Sequence, residues 1–117
     1  MTAQYKYIRG LEIISDEHML SATELARIYG LQTVNGKPNA MLVSCLINDY
    51  VCKNNINVFD HYYAHSHGVM KVYPCSLYAK PLGDFVNIMQ TLGGDQEREY
   101  TSKYPEKRTI KFKYKKP

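Results

Sequence analysis

The stretch HYYAHSHG, residues 61–68, carries three of the four histidines in the chain. His61, His65 and His67 stand at i, i+4 and i+6, positions that share one face of a β-strand. Imidazoles so placed could hold zinc, with Cys75 or His18 as a fourth ligand. A metal held there could in turn activate water, as a metal-dependent nuclease requires. The spacing matches no compact zinc pattern, and the sequence has no Cys-x-x-Cys pair. The competing reading is a polar hairpin connection whose rings pack on neighbours, and the expectation is no metal at this stretch. Tyr62, Tyr63, His65, His67 and Tyr73 then become a partner-binding surface. His65 and His67 titrate near neutrality, so binding there would depend on pH.

His65-Ser66-His67 is similar to the His-hydrophobic-His pair of rolling-circle relaxases and replication initiators. That resemblance would imply a bound metal and a tyrosine nucleophile, but the middle residue here is serine. Asp49, Asp60 and Asp84 are isolated carboxylates, expected to cap or to be solvated. There is no glycine-rich phosphate loop and no nucleophile motif. The expectation is a protein without catalytic residues and without a cofactor.

Charge gives a second candidate. The chain carries a net +4, but residues 98–117 alone hold eight Lys/Arg and two acids. The other 97 residues hold seven Lys/Arg and nine acids. A basic tail on a slightly acidic body suits an anionic partner. RTIKFKYKK, 108–116, alternates with period two, placing Ile110, Phe112 and Tyr114 on one face and Lys111, Lys113 and Lys115 on the other. With Lys107, Arg108 and Lys116 these lysines could follow a nucleic-acid backbone. Tyr100, Tyr104 and Tyr114 could stack on unpaired bases. The competing reading is a lysine-rich edge strand that resists aggregation.

Eleven tyrosines and no tryptophan suggest protein contacts, because tyrosine is enriched at interfaces. Half-buried strand positions would also account for them. Cys45, Cys52 and Cys75 are read as reduced thiols. On one helix Cys45 and Cys52 would lie about 10 Å apart, beyond disulfide reach. No run of 18 apolar residues and no apolar N-terminal core occur, so neither a membrane span nor a secretion signal is expected. The expected compartment is the cytoplasm, that of the host if the chain is phage-encoded.

The elements that position these residues follow from periodicity. Residues 4–14 read as one strand, or as two around Gly10. SATELARIYGL, 21–31, is a helix with a Ser21/Glu24 capping box, an Ala22-Leu25-Ile28-Tyr29 stripe and Gly30 at its end. QTVNGKP is a loop with Asn35-Gly36 at its tip. Pro38 opens a second helix over 39–53. That pair could be a helix-turn-helix, with Lys37 and Asn39 reaching phosphate or base edges. Its loop of about seven residues exceeds the usual three or four. Segments 56–63 and 68–74 form a hairpin. A third helix has its effective start at Pro81 and its end at Gly93-Gly94. Residues 95–106 read as a polar linker. The expected fold is α+β, a small, mainly antiparallel sheet with three helices in the order β-α-α-β-β-α-β. It divides into a core domain, 1–94, and a linker with a basic C-terminal strand, 95–117.

SATELAR at 21–27 and VYPCSLYAKPLGDFV at 72–86 carry a family resemblance. Over residues 5–92 the chain resembles the KilA-N domain of phages and large DNA viruses. There a strand leads into an "AT-x-L" helix, and a hairpin leads into a final helix opening near His-Pro. Tyr73-Pro74 stands here in place of His-Pro, and the family's tryptophans are absent. The resemblance implies a small α+β domain that binds DNA in a phage or viral regulatory setting.

The leading expectation is a small phage-like regulatory protein that binds nucleic acid through the basic strand and the helix pair. The alternatives are a phage-type inhibitor or adaptor that binds a host protein, and a metal-dependent nuclease at His61, His65 and His67. A homodimer through the tail strand is compatible with each.

Overall fold

Period-two and period-3.6 patterning sort the described residues into eight strands and three helices. The computed structural model describes residues 7–9, 12–14, 19–56, 61–65, 68–93, 95–103 and 107–116. The order is β1 (Tyr7–Arg9), β2 (Glu12–Ile14), β3 (Met19–Ser21), α1 (Ala22–Tyr29), β4 (Leu31–Gln32), α2 (Ala40–Lys53), β5 (His61–His65), β6 (Gly68–Pro74), α3 (Cys75–Gly93), β7 (Gln96–Ser102) and β8 (Arg108–Tyr114). The fold is α+β with three helices, as expected. The strands form two antiparallel sheets, of order β2-β1-β5-β6-β3 and β4-β8-β7.

Helix α1 is framed by local chemistry. The Ser21 hydroxyl accepts from the Glu24 backbone N–H at 3.2 Å, and the Ser21 N–H donates to the Glu24 carboxylate at 3.4 Å. The helix closes at Gly30, whose φ of 71° is the left-handed conformation that glycine adopts without a Cβ penalty. The buried stripe centres on Leu25 and Ala26, and Ile28 is turned outward at 53% exposure. The expected stripe was therefore off by one helical position on that flank.

The connection from α1 to α2 is more ordered than a loop. Leu31 and Gln32 pair with Tyr114 and Lys113 of β8. Gly36, at φ 84°, closes a tight turn by donating its N–H to the Thr33 carbonyl at 2.9 Å. Pro38 then bridges back to Gln32 instead of opening the helix. Asn39 is the true cap, its side chain accepting from the Leu42 N–H at 3.1 Å. Leu42, Val43, Leu46, Ile47 and Val51 bury the broad face of α2. Because β4, paired with β8, and a turn closed by its own hydrogen bonds join α1 to α2, the pair is not a helix-turn-helix.

Helix α3 begins at Cys75, six residues before Pro81, which sits inside it. Proline has no N–H for the Leu77 carbonyl, so one internal bond is forfeited without ending the helix. Packing of Tyr78 and Leu82 into the core outweighs that loss.

The segment expected as a linker is largely strand. Gln96–Ser102 pairs with Arg108–Tyr114 over seven residues, Gln96 opposite Tyr114 and Ser102 opposite Arg108. Its polar composition hides it, because only its inner positions meet apolar partners. Ile110, Phe112 and Tyr114 of β8 enter the same core as Leu25, Leu42 and Leu82. Phe85 of α3 lies 5.4 Å from the Phe112 ring and 5.7 Å from the Tyr100 ring, centroid to centroid.

Candidate nucleic-acid interface

Because β8 buries alternate residues, its lysines are turned to solvent. Phe112 and Tyr114 are each 1% exposed, while Lys111 and Lys115 are exposed and Lys113 is half-buried. Lys107, Arg108 and Lys116, at the ends of the strand, are also exposed. The described part of the β7–β8 hairpin and its flanks holds eight Lys and Arg side chains against Asp95, Glu97 and Glu99, a net of +5.

The register gives this face a pattern the sequence alone did not show. Glu99 stands opposite Lys111, and Glu97 opposite Lys113. Directly opposed charges stabilise an antiparallel pair by about 0.2–1 kcal/mol, and they also offset part of the central lysines' field. Apart from Arg98, the other cations lie at the two ends, where Asp95 stands beside Lys116 and the Arg108 guanidinium reaches Met41 Sδ of α2 at 4.0 Å. Lys103, Lys107 and Arg108 form one end, and Lys115 and Lys116 the other. Arg108 and Lys115 are about 24 Å apart along a strand rising 3.4 Å per residue.

Asp49 of α2 anchors the first end. Its carboxylate accepts from the Ser102 hydroxyl at 3.0 Å, from the Lys103 backbone N–H at 3.2 Å and from the Tyr100 hydroxyl. Burial pushes the Tyr100 phenol well above its ordinary range, and the hydrogen bond to the Asp49 carboxylate and that group's negative charge add to it. From its neighbours in sequence, Asp49 is expected only to cap or to be solvated. Its partners lie more than fifty residues away, out of reach of any local pattern. The one available hint was a carboxylate set three residues after Leu46 on a helix of otherwise apolar breadth. Asp84 is an exposed carboxylate, paired with Lys80 at 3.1 Å. At the other end, the Lys115 N–H donates to the Gly30 carbonyl at 2.9 Å and the Lys116 N–H to Asp95 at 3.0 Å. The hairpin is thus tied to the helical layer at both ends, through Asp49 at the end of β7 and through Gly30 at the end of β8.

The remaining candidates fall elsewhere. Lys37 is exposed on the turn that follows β4. Asn39 is only 4% exposed and uses its amide inward, donating to the Gln32 carbonyl at 3.4 Å and capping α2. It is a structural cap, not a reader of base edges. Tyr73, expected on a partner-binding surface, is 7% exposed, with its hydroxyl 3.3 Å from that of Ser44 and its ring 5.5 Å beneath the Lys71 ammonium. Tyr100 and Tyr114 face the core and not solvent, so neither is placed to stack on a base. Tyr62, Tyr63 and His65 belong to β5, with His65 opposite Gly68 in the hairpin to β6. His18, Asp60, Ser66, His67 and Tyr104 lie outside the described residues. Among the described residues no three His, Cys, Asp or Glu side chains gather as a metal site, and no helix is long and apolar enough to cross a membrane. The three cysteines are unbridged.

At the helical layer, burial raises the Tyr78 phenol to about 12, with the nearby Cys75 thiol adding to the effect. Burial and Cys75 push Tyr29 in the same direction.

Fold and site together define a small α+β protein with a cationic antiparallel hairpin docked on three helices. No family model, no curated protein and no solved structure matches the chain.

Proposed function

We propose that this is a small, phage-like regulatory protein that binds nucleic acid through the C-terminal β7–β8 hairpin. The observation that carries the reading is the two-faced build of β8. One face is sealed into the core by Ile110, Phe112 and Tyr114, which turns Lys111, Lys113 and Lys115 outward, while Arg108 at the strand's start reaches Met41 Sδ of α2 at 4.0 Å. Lys103, Lys107 and Arg108 at one end and Lys115 and Lys116 at the other meet phosphates, with Lys37 on the adjoining turn. Such contacts fix affinity and position but carry no base sequence. The reading therefore predicts binding that varies little with sequence. The KilA-N resemblance supports the same class of ligand.

The test is fluorescence anisotropy at low salt with labelled single- and double-stranded 30-mers of DNA and RNA, in two unrelated sequences. The double variants Lys107→Glu/Arg108→Glu and Lys115→Glu/Lys116→Glu each weaken binding on both sequences. Lys111→Glu/Lys113→Glu weakens it less, because Glu99 and Glu97 already oppose those lysines. Affinity unchanged in both end variants would remove the hairpin from the interface.

A further inference from the structure

Strand β7 forms the outer edge of its sheet among the described residues, and a helix lies beneath it. Gln96 donates its side-chain N–H to the Met89 carbonyl of α3 at 2.7 Å, and Phe85 packs against Tyr100. Ile88 and Leu92 follow Phe85 at i+3 and i+7, so they continue that flank of α3. Gln90, on the opposite flank, reaches the Tyr114 hydroxyl of β8 at 3.2 Å, which places the Ile88–Leu92 stripe on the β7 side. Ile88 is 55% exposed and Leu92 52%, two of the large apolar side chains left exposed among the described residues. On the outward side of the sheet, Glu97 and Glu99 stand two residues apart beside a shallow depression of about 340 Å³, bordered also by Arg98 and Lys111.

We propose that this edge binds an extended peptide segment of a partner protein, added to β7 as a further antiparallel strand. Main-chain hydrogen bonds to the edge supply affinity, and alternate side chains supply selectivity. Residues of the added strand alternate between faces. One set lies over the stripe on α3, beside the stem of Arg98, whose Nε donates to the Gln96 side chain on that face, and is apolar. The rise of four helical residues from Ile88 to Leu92, about 6 Å, is close to the two-residue repeat of a strand, about 6.8 Å. The other set faces outward beside Glu97 and Glu99 and is basic. The ligand is therefore a strand of alternating Lys or Arg and aliphatic residues.

The charges on β7 speak against a second copy of the chain as the occupant. Antiparallel self-pairing centred on Arg98 sets Glu97 against Glu99 and Arg98 against Arg98, and like charges directly opposed destabilise a pair. The same charges suit an edge guarded against self-association and open to a basic strand. This site is separate from the cationic ends of the hairpin, so it stands or falls apart from nucleic-acid binding.

The experiment uses the full chain and four labelled octapeptides. They are alternating Lys-Val, alternating Glu-Val, a block peptide with four Lys followed by four Val, and alternating Lys-Val with alternate backbone nitrogens methylated. The Lys-Val peptide binds at least tenfold tighter than the other three. The variants Ile88→Asp and Glu97→Lys/Glu99→Lys each weaken it at least tenfold while retaining the wild-type circular dichroism spectrum. Equal binding of the block or the methylated peptide would show mere charge attraction and overturn the proposal. So would no binding of the alternating peptide. A protein dimer that Ile88→Asp releases would put a second copy in the groove, and would overturn it as well.

Discussion

Asp49 supplies the sharpest test of how the hairpin is held. Its carboxylate joins α2 to the end of β7 through Tyr100, Ser102 and the Lys103 N–H. Hydrogen bonds to a charged group net about 1.5–3 kcal/mol each, and neighbours in one network do not add. Ser102 is 1% exposed, so water is poorly placed to replace the lost acceptor there. Together these give a cost of about 3 kcal/mol for Asp49→Ala. That is a large share of the roughly 5–15 kcal/mol that holds a domain together. For a chain of this length it corresponds to a fall in Tm of about 12 °C. Asp49→Asn keeps the shape but turns one acceptor into a donor facing other donors, and is expected to cost about 2 kcal/mol. Urea unfolding followed by circular dichroism reads both, with the slope unchanged if only stability moves. A cycle with Tyr100→Phe isolates the pair and should show a coupling of about 1 kcal/mol or more. An Asp49→Ala loss below about 0.5 kcal/mol, the range of ordinary surface substitutions, would refute the clamp.

Two further outcomes follow from the core and the phenols. Phe112→Ala removes a buried ring from between the sheet and α3 and should cost about 3–5 kcal/mol in the same unfolding assay, where a loss under about 1 kcal/mol would contradict the packing. The raised phenols make stability pH-dependent on the alkaline side. Because the folded pKa of Tyr78 is about 12 against an ordinary 10.0, its contribution is complete below pH 10 and is lost as pH rises towards 12. Tyr100 is shifted in the same direction and adds to the loss. Urea midpoints measured from pH 9 to 11.5 should fall, and the fall should flatten in Tyr78→Phe and Tyr100→Phe. Midpoints that stay level in the wild type would contradict the burial of these hydroxyls.

Much of this arrangement was legible where the signal is local. The Ser21–Glu24 capping box, the Gly30 terminus and the perfect alternation of β8 each follow from neighbours in sequence, and each is present. What was not legible depends on distant pairing. Gln96–Ser102 reads as polar because β7 has one neighbouring strand among the described residues and an exposed outer face, so few of its residues need be apolar. Asn39 and Tyr73 carry polar atoms that suggest a surface, yet both are buried because cap and hydroxyl partners satisfy them there. Strand β4 is two residues long and owes its existence to β8, eighty positions away in the chain. The opposition of Glu97 and Glu99 to the lysines is a matter of register, which the sequence does not contain until the turn between the strands is placed.

The central claim is that the outward cations of the hairpin hold nucleic-acid phosphates, and the salt dependence of affinity tests it most directly. If about four of them pair with phosphates, log affinity against log salt should fall with a slope of roughly −3 to −4. Reversal of Lys107 and Arg108, or of Lys115 and Lys116, should make that slope shallower by about 2. A wild-type slope near zero, or one that neither pair of reversals changes, would contradict the account.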